Sequence, residues 1–252
     1  MPKGRTPGKG APREAREFDT TYLTGDTHMV HRDYLAHAFR WGFAHRLCKG
    51  KTVLDAGCGP EWNLGRVLQV HGNMGIRATK YVGVDLSEKL PERRTKLYDL
   101  WPGTNIVESW GILLDHYGTF DVVASFEVIE HMGEEQGARY LAGLRELSRG
   151  GLLLLSTPLN NGRRSARNHV HEYSCAGLDH ALHSAGFEVV RRFGTFGDVR
   201  SLANAINGPE ERQKAHRRTW EELREYYSDD VMATFLAPLY PDACKNVMWV
   251  CR

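Results

Sequence analysis

The chain has 252 residues and only five cysteines, Cys48, Cys58, Cys175, Cys244 and Cys251, scattered and with no CxxC pair. An odd, dispersed set excludes a disulfide framework and a zinc site built on paired cysteines, and it fits a reducing, cytoplasmic setting. Nowhere does an apolar run approach the ~20 residues that cross a bilayer, so no membrane partner is expected. Residues 1–17 lack the apolar stretch of a secretory signal. The formal net charge is only +2, which excludes a histone-like binder that works by bulk charge and leaves room for a local basic patch. The length suits one large domain, or one domain with an appendage.

Residues 1–17 (MPKGRTPGKGAPREARE) hold three Pro, three Gly and five Lys/Arg against two Glu. Such a segment cannot bury a core and reads as a disordered basic tail, either a solubilising terminus or an anchor for phosphate backbones. Residues 18–252 then form a single domain. Its first helix is expected over 31–48, where Tyr34, Leu35, Ala38, Phe39, Phe43 and Leu47 recur at helical spacing. Short, continuously apolar runs follow at 51–56, 81–86, 105–107, 120–125, 151–157, 187–193 and 246–251. Strands of this kind are buried on both faces, as in a parallel sheet covered by helices. Between them, Ala138, Leu141, Leu144 and Leu147 mark one helix. Leu178, Ala181, Leu182 and Ala185 mark another, with Ser174 and Gly186 as its caps. A helical insertion or lid is expected at about 197–240, with Trp220, Leu223 and Tyr227 on one face. Alternating strands and helices predict an α/β doubly wound sheet, whose ligands bind beyond the carboxyl ends of the strands.

The first strand ends in Asp55-Ala56-Gly57-Cys58-Gly59, where two glycines permit a sharp turn and a close approach to bare backbone. A dinucleotide fingerprint would need a third glycine at 62, and that position is Trp62. The second strand ends in Asp85, a carboxylate suited to ribose hydroxyls. The fourth ends in an acidic and histidine cluster. Taken in order, VLDAGCG, YVGVDLS, FDVVASFEVIEHM and LLLLSTP resemble the successive motifs of class I S-adenosylmethionine-dependent methyltransferases over about residues 50–195. The resemblance implies a Rossmann-like, seven-stranded, mostly parallel sheet with an antiparallel last strand. It implies that Asp55, Gly57, Cys58 and Gly59 surround the amino-acid part of S-adenosylmethionine. Asp85 would hold the ribose, Leu86 the adenine face, Ser109 and Trp110 the adenine edge, and Phe126 the methionine end. Glu61-Trp62 stands where such sequences carry a further small residue, so the path of that loop departs from the pattern.

Methyl transfer also needs a base or a metal to unprotonate the acceptor. Glu127, Glu130 and His131 would share one face if a helix starts there. His169 and His171 would point the same way in an extended segment. The ExxEH string with a downstream histidine resembles the metal site of small-RNA 2′-O-methyltransferases, and also the ubiquinone-pathway O-methyltransferases. That resemblance makes Glu127, Glu130, His131 and His169 (or His171) ligands of a divalent cation such as Mg²⁺. The metal-free alternative makes His131 or His171 a general base oriented by Glu130 or Glu172. After the fourth strand, Ser125-Phe126-Glu127-Val128 lacks the D/N-P-P-Y/F string of amino-methylating nucleic-acid enzymes, and no Pro-Cys nucleophile follows. Oxygen is therefore the expected acceptor atom, with a small amine left open. Three functions stand at this point. One is O-methylation of a small molecule or nucleotide-like metabolite. Another is methylation of a nucleic acid held by the basic tail and by Arg163, Arg164 and Arg167. The third is an inactive cofactor-binding partner subunit.

Overall fold

Continuous apolar runs become strands with both faces covered. The computed structural model describes residues 32–72, 77–160, 166–197, 199–205 and 209–252. Eight strands form one sheet: β1 (Thr52–Ala56), β2 (Lys80–Val84), β3 (Arg93–Arg94), β4 (Tyr98–Trp101), β5 (Val122–Phe126), β6 (Leu152–Pro158), β7 (Val189–Gly197) and β8 (Cys244–Cys251). Their order is β3-β4-β2-β1-β5-β6-β8-β7. β4, β2, β1, β5 and β6 run parallel, β8 is antiparallel to both β6 and β7, and β3 is antiparallel to β4. The strand order reverses between β1 and β5, which opens a crevice at their carboxyl ends.

Eight helices are described: α1 (Arg32–Leu47), α2 (Asn63–Gly72), α3 (Ile106–Tyr117), α4 (Glu134–Leu147), α5 (Cys175–Ser184), α6 (Val199–Ala203), α7 (Glu210–Leu223) and α8 (Asp229–Leu236). One sheet face packs Leu54, Val82, Val123, Leu153 and Trp249 against α3, α4 and α5. The other packs Val53, Tyr81, Val122, Leu154 and Met248 against α1 and α2. Trp249 is fully buried, and its indole N–H donates to Asp179 Oδ1 at 2.7 Å. Among the described residues no helix is long and apolar enough to cross a membrane.

The expected strand at 105–107 is not a strand. Asn105 caps α3, its side chain accepting the Val107 N–H at 3.1 Å, and the third long strand is Tyr98–Trp101 instead. That strand was hidden because Asp99 interrupts its apolar run. The Asp99 carboxylate is buried and takes the Tyr117 hydroxyl as donor. The two-residue β3 brings the count to eight instead of seven. In the insertion, Trp220 is buried and Leu223 packs on the core, but α7 ends at Leu223, so Tyr227 lies past it and is half exposed. The basic tail lies outside the described residues.

At Gly151 a Cβ would sit 2.4 Å from the Phe120 carbonyl oxygen and 2.6 Å from that of Asp121, both backbone atoms that cannot yield. Its neighbour Gly150 has φ +83° with nothing within 4 Å. Gly151→Ala is expected to lower unfolding free energy by about 2–4 kcal/mol. Gly150→Asn, which tolerates the left-handed region, should cost about 1 kcal/mol or less. Urea midpoints of the two variants at unchanged slope test this, and equal losses would refute the crowding argument.

Candidate active site

Four chain segments meet at the carboxyl ends of β1, β2, β4 and β5. After β1, Gly57 (φ +82°) and Gly59 (φ +71°) turn the chain in the left-handed region. A Cβ on Gly57 would lie 2.3 Å from Val128 Cγ2, so the loop after β5 presses directly on this backbone. A Cβ on Gly59 would meet nothing within 4 Å. This glycine borders open space, as a backbone cradle for a ligand requires. Asp85 ties the two loops together: Oδ2 accepts the Gly59 N–H at 2.8 Å and Oδ1 the Ser87 N–H at 2.8 Å. Each oxygen keeps a further acceptor site. Beside it Leu86 is 69% exposed, an apolar side chain left uncovered. Phe126, ending β5, closes the other side and is mostly buried.

Asp55 does not face this space. It is buried beneath the loop, and its carboxylate accepts the Tyr81 hydroxyl at 2.7 Å. Burial pushes its pKa from 3.8 to about 7, the Tyr81 hydrogen bond opposes that shift, and the charge of Asp85 adds to it. The Cys58 thiol is also buried, and burial with the nearby carboxylates raises its pKa. Its backbone N–H donates to Val84 O at 3.1 Å. Ser109 and Trp110 are not at a strand end but on α3, and the Trp110 indole packs where a Cβ on Gly143 of α4 would sit. The segment that does border Asp85 is 101–104, where the Thr104 N–H donates to Asp85 O at 2.8 Å and the Asp85 N–H to Trp101 O at 3.3 Å. The Pro102-Gly103 pair in the sequence was the signal for that turn.

Beyond β5 no α-helix begins. Glu127 takes a left-handed backbone (φ +60°), and a single 3-10 turn follows at Ile129–His131. The carboxylates of Glu127 and Glu130 therefore do not share a helix face. Glu127 Oε1 accepts from Ser156 Oγ at 2.7 Å, and Oε2 from Asn246 Nδ2 at 2.6 Å. The guanidinium of Arg40, from α1, lies 3.4 Å from Oε1. Arg40 is 1% exposed and also donates to Asn246 Oδ1 at 3.0 Å and to His37 Nδ1 at 2.8 Å. Burial and the Arg40 charge push the His37 pKa down to about 2, which leaves it a neutral acceptor.

Glu130, His131 and His169 do converge: one ligand atom from each lies within 4.8 Å of the others. The imidazoles meet edge to face at 5.3 Å. His131 Nδ1 sits 2.9 Å from the Asn168 carbonyl oxygen, and His169 Nδ1 on the Glu172 carboxylate. Both partners only accept, so each Nδ1 carries a proton, and in the neutral ring the lone pair falls on Nε2, the tautomer that backs metal-bound histidines. Glu130 is buried and accepts from Thr157 Oγ1 at 3.0 Å. Burial first, then the Glu127 charge, raise its pKa well above the carboxylate range. Glu127 is absent from this group because Arg40, Ser156 and Asn246 occupy it. His171 is absent too. The chain turns at 166–169 instead of extending, and the His171 ring stacks edge-on to Tyr173, with Nδ1 3.6 Å from Glu134. Arg167 is exposed beside this turn, while Arg163 and Arg164 lie outside the described residues.

Residues 30–192 match the family model described as a methyltransferase domain. The chain belongs to that family. Its fold is the Rossmann-like one of class I S-adenosylmethionine-dependent methyltransferases. The chain is 33% identical over 163 residues to a probable S-adenosylmethionine-dependent methyltransferase of Mycolicibacterium smegmatis, covering 61% of this chain and 58% of that protein. It is 34% identical over 129 residues to a ubiquinone biosynthesis O-methyltransferase of Thiobacillus denitrificans, covering 50% of this chain and 52% of that one. The chain thus spans little more than half the length of these curated relatives. A 1,6-didemethyltoxoflavin-N1-methyltransferase from Burkholderia thailandensis, solved with S-adenosylhomocysteine, superposes with a TM-score of 0.54 at 17% identity, covering 92% of this chain and 84% of that one.

Two predictions follow from buried charge in this methyltransferase domain. Because the folded state holds the Asp55 proton to about pH 7 and the unfolded chain releases it near pH 3.8, Asp55 removes stability as pH rises across that window. The loss is of the order of 4 kcal/mol at most, and it levels off above the upper value. Asp55→Asn, which can keep the Tyr81 bond, should flatten that part of the profile; parallel pH curves for parent and variant would refute it. Separately, Arg40→Met strands the Glu127 carboxylate and should cost about 3–5 kcal/mol. Arg40→Met/Glu127→Gln should recover part of that loss, and strictly additive costs in a double-mutant cycle would show that the two side chains do not interact.

Proposed function

We propose that the protein is an S-adenosylmethionine-dependent O-methyltransferase acting on a hydroxyl of a small molecule or nucleotide-like metabolite. The observation that carries this reading is the group Glu130, His131 and His169, with both Nδ1 atoms held by acceptors, at the same sheet edge as the Gly57–Gly59 turn and Asp85. The residues fit the cofactor: a bare glycine facing open space, a carboxylate with spare acceptor sites for ribose hydroxyls, an uncovered Leu86 for the adenine, and Phe126 toward the methionine end. S-adenosylmethionine, when bound, supplies the methyl group. A C–O bond forms as the C–S bond breaks, and the hydroxyl proton must leave.

The chain's own contribution is a base with a fixed tautomer. His131 and His169 each offer a lone pair on Nε2, and their Nδ1–H partners, Asn168 O and Glu172, stabilise the positive charge gained on protonation. The same three side chains fit a divalent cation, which would lower the pKa of the acceptor hydroxyl and orient it. Within the insertion, α8 packs on α1 and β7, the elements that carry Arg40 and Thr195. A second reading, methylation of a nucleic acid, is favoured by exposed Arg167 beside His169.

Incubation with methyl-labelled S-adenosylmethionine and a desalted host extract, fractionated afterwards, tests the proposal. Label is expected in small molecules, with at least about tenfold less transfer by Asp85→Ala. His131→Ala and His169→Ala should each lower transfer at least about a hundredfold while S-adenosylhomocysteine still binds. Chelator sensitivity present in the parent and absent in these variants assigns the cation. Label confined to nucleic acid transfers the conclusion to the second reading, and undiminished transfer by Asp85→Ala overturns the cofactor assignment.

A further inference from the structure

Far from the group at Glu130, the edge of the sheet carries a concave pocket lined by Gln69, Arg77, Arg93, Thr95, Lys96 and Tyr98, among others. It lies beside the amino-terminal starts of β2 and β4, where the Tyr81 N–H meets Leu97 O at 2.7 Å. This is the end of the sheet opposite Asp85 and the glycine turn. Among the described residues, no acidic one lines it. Among the described residues the neighbouring cations Arg66, Lys80 and Arg94 all find carboxylates, on Glu61 or Asp99. Arg77, Arg93 and Lys96 make no ion pair among the described residues.

Arg93 is the organising group. Its guanidinium carbon lies 5.1 Å from the ring centroids of both Trp62 and Tyr98. Cation–π attraction to two inclined rings holds the guanidinium in place and leaves it N–H donors for a ligand. Ordering entropy that a ligand would otherwise have to supply is already spent. Arg77 lines the same pocket, and both guanidinia act electrostatically on the Tyr98 hydroxyl, opposing the rise that burial gives its pKa. Two arginines and a lysine around one concavity, with no carboxylate, match a tetrahedral oxyanion better than a carboxylate or a neutral ligand.

We propose that this pocket is a phosphate-binding site, built on ring-held Arg93 with Arg77 and Lys96, taking the phosphate of a free metabolite or of a nucleic-acid strand. It is independent of the proposed methyl transfer. A strand reaching both ends of the sheet would use it as a docking point away from the reacting group. A free phosphate ligand would occupy it alone.

The test is equilibrium binding, by calorimetry and by chemical-shift titration, of inorganic phosphate, pyrophosphate and a short 5′-phosphorylated RNA oligomer. The full chain is compared with Arg93→Gln, Arg93→Lys and Arg77→Gln/Lys96→Gln. One saturable site is expected, weakened about tenfold or more in Arg93→Gln and in the double variant. Arg93→Lys should recover only part, because lysine keeps charge without the planar fork. Response to phosphate or pyrophosphate identifies a free ligand. Response to RNA alone, falling steeply with salt, identifies a strand. Melting curves confirm that each variant folds; if Arg93→Gln fails to fold, the double variant decides alone. Binding undiminished in a folded variant, or no binding of any probe to the parent, overturns the proposal, whatever the outcome of the label-transfer experiment.

Discussion

A guanidinium that is 1% exposed must be answered by the protein around it, and the arrangement beyond β5 follows from how Arg40 is answered. Isolated burial of that charge would be prohibitive. Glu127 supplies the opposite charge, while Asn246, Thr195 and His37 take its N–H donors. The partners come from β7, β8, the end of β5 and α1 itself, so one ion pair pins four elements at the carboxyl edge. Among the described residues the Arg40 Nε finds no hydrogen-bond partner. Glu127 reaches its place through a left-handed backbone that a non-glycine residue adopts at a cost. That turn ends β5 abruptly and is followed, after Val128, by the 3-10 turn Ile129–His131 that presents Glu130 and His131. The same turn drives Val128 against Gly57, so the ion pair also sets where the glycine loop can lie.

Asp85 plays the matching part on the other side of the crevice, by a different physical route. Its carboxylate is held by two backbone N–H groups and not by a cation. Such a group satisfies the protein while keeping acceptor capacity outward. Glu127 is saturated by Ser156, Asn246 and Arg40. The contrast separates carboxylates that organise the site from those with capacity left for a ligand. Asp55, buried on Tyr81, belongs with the organising set.

How far the sequence went depends on which signal each element sends. Continuous apolar runs marked β1, β2, β5, β6, β7 and β8 within a few residues, because a strand buried on both faces has no polar side to blur it. β4 escaped because Asp99 sits within it, its carboxylate answered by Lys80, Arg94 and the Tyr117 hydroxyl, which composition does not show. The meeting of Glu130, His131 and His169 was legible as a set of residue types. The exclusion of Glu127 and His171 was not, since it rests on one left-handed residue and one tight turn. Arg40 had a faint signal: Ala36, Arg40, Ala44 and Cys48 stand four apart, and all four are buried. An arginine framed by small residues on a buried helix face is long enough to reach past them to a partner.

The ion pair and the imidazole pair also divide the work of the loops. Glu130 lends its carbonyl to the N–H groups of both Val170 and His171, at 2.8 and 3.1 Å. The segment carrying His169 is therefore hung from the turn that carries His131, and the two rings cannot be set independently. Any shift of the Glu127 turn is passed to Glu130, and from its backbone to His169. A group assembled this way holds its geometry through backbone bonds as well as through its side chains. This places the demand for precision on Arg40, a residue with no contact to the Nε2 atoms, and it explains why a helix that precedes the sheet buries a charge at its edge.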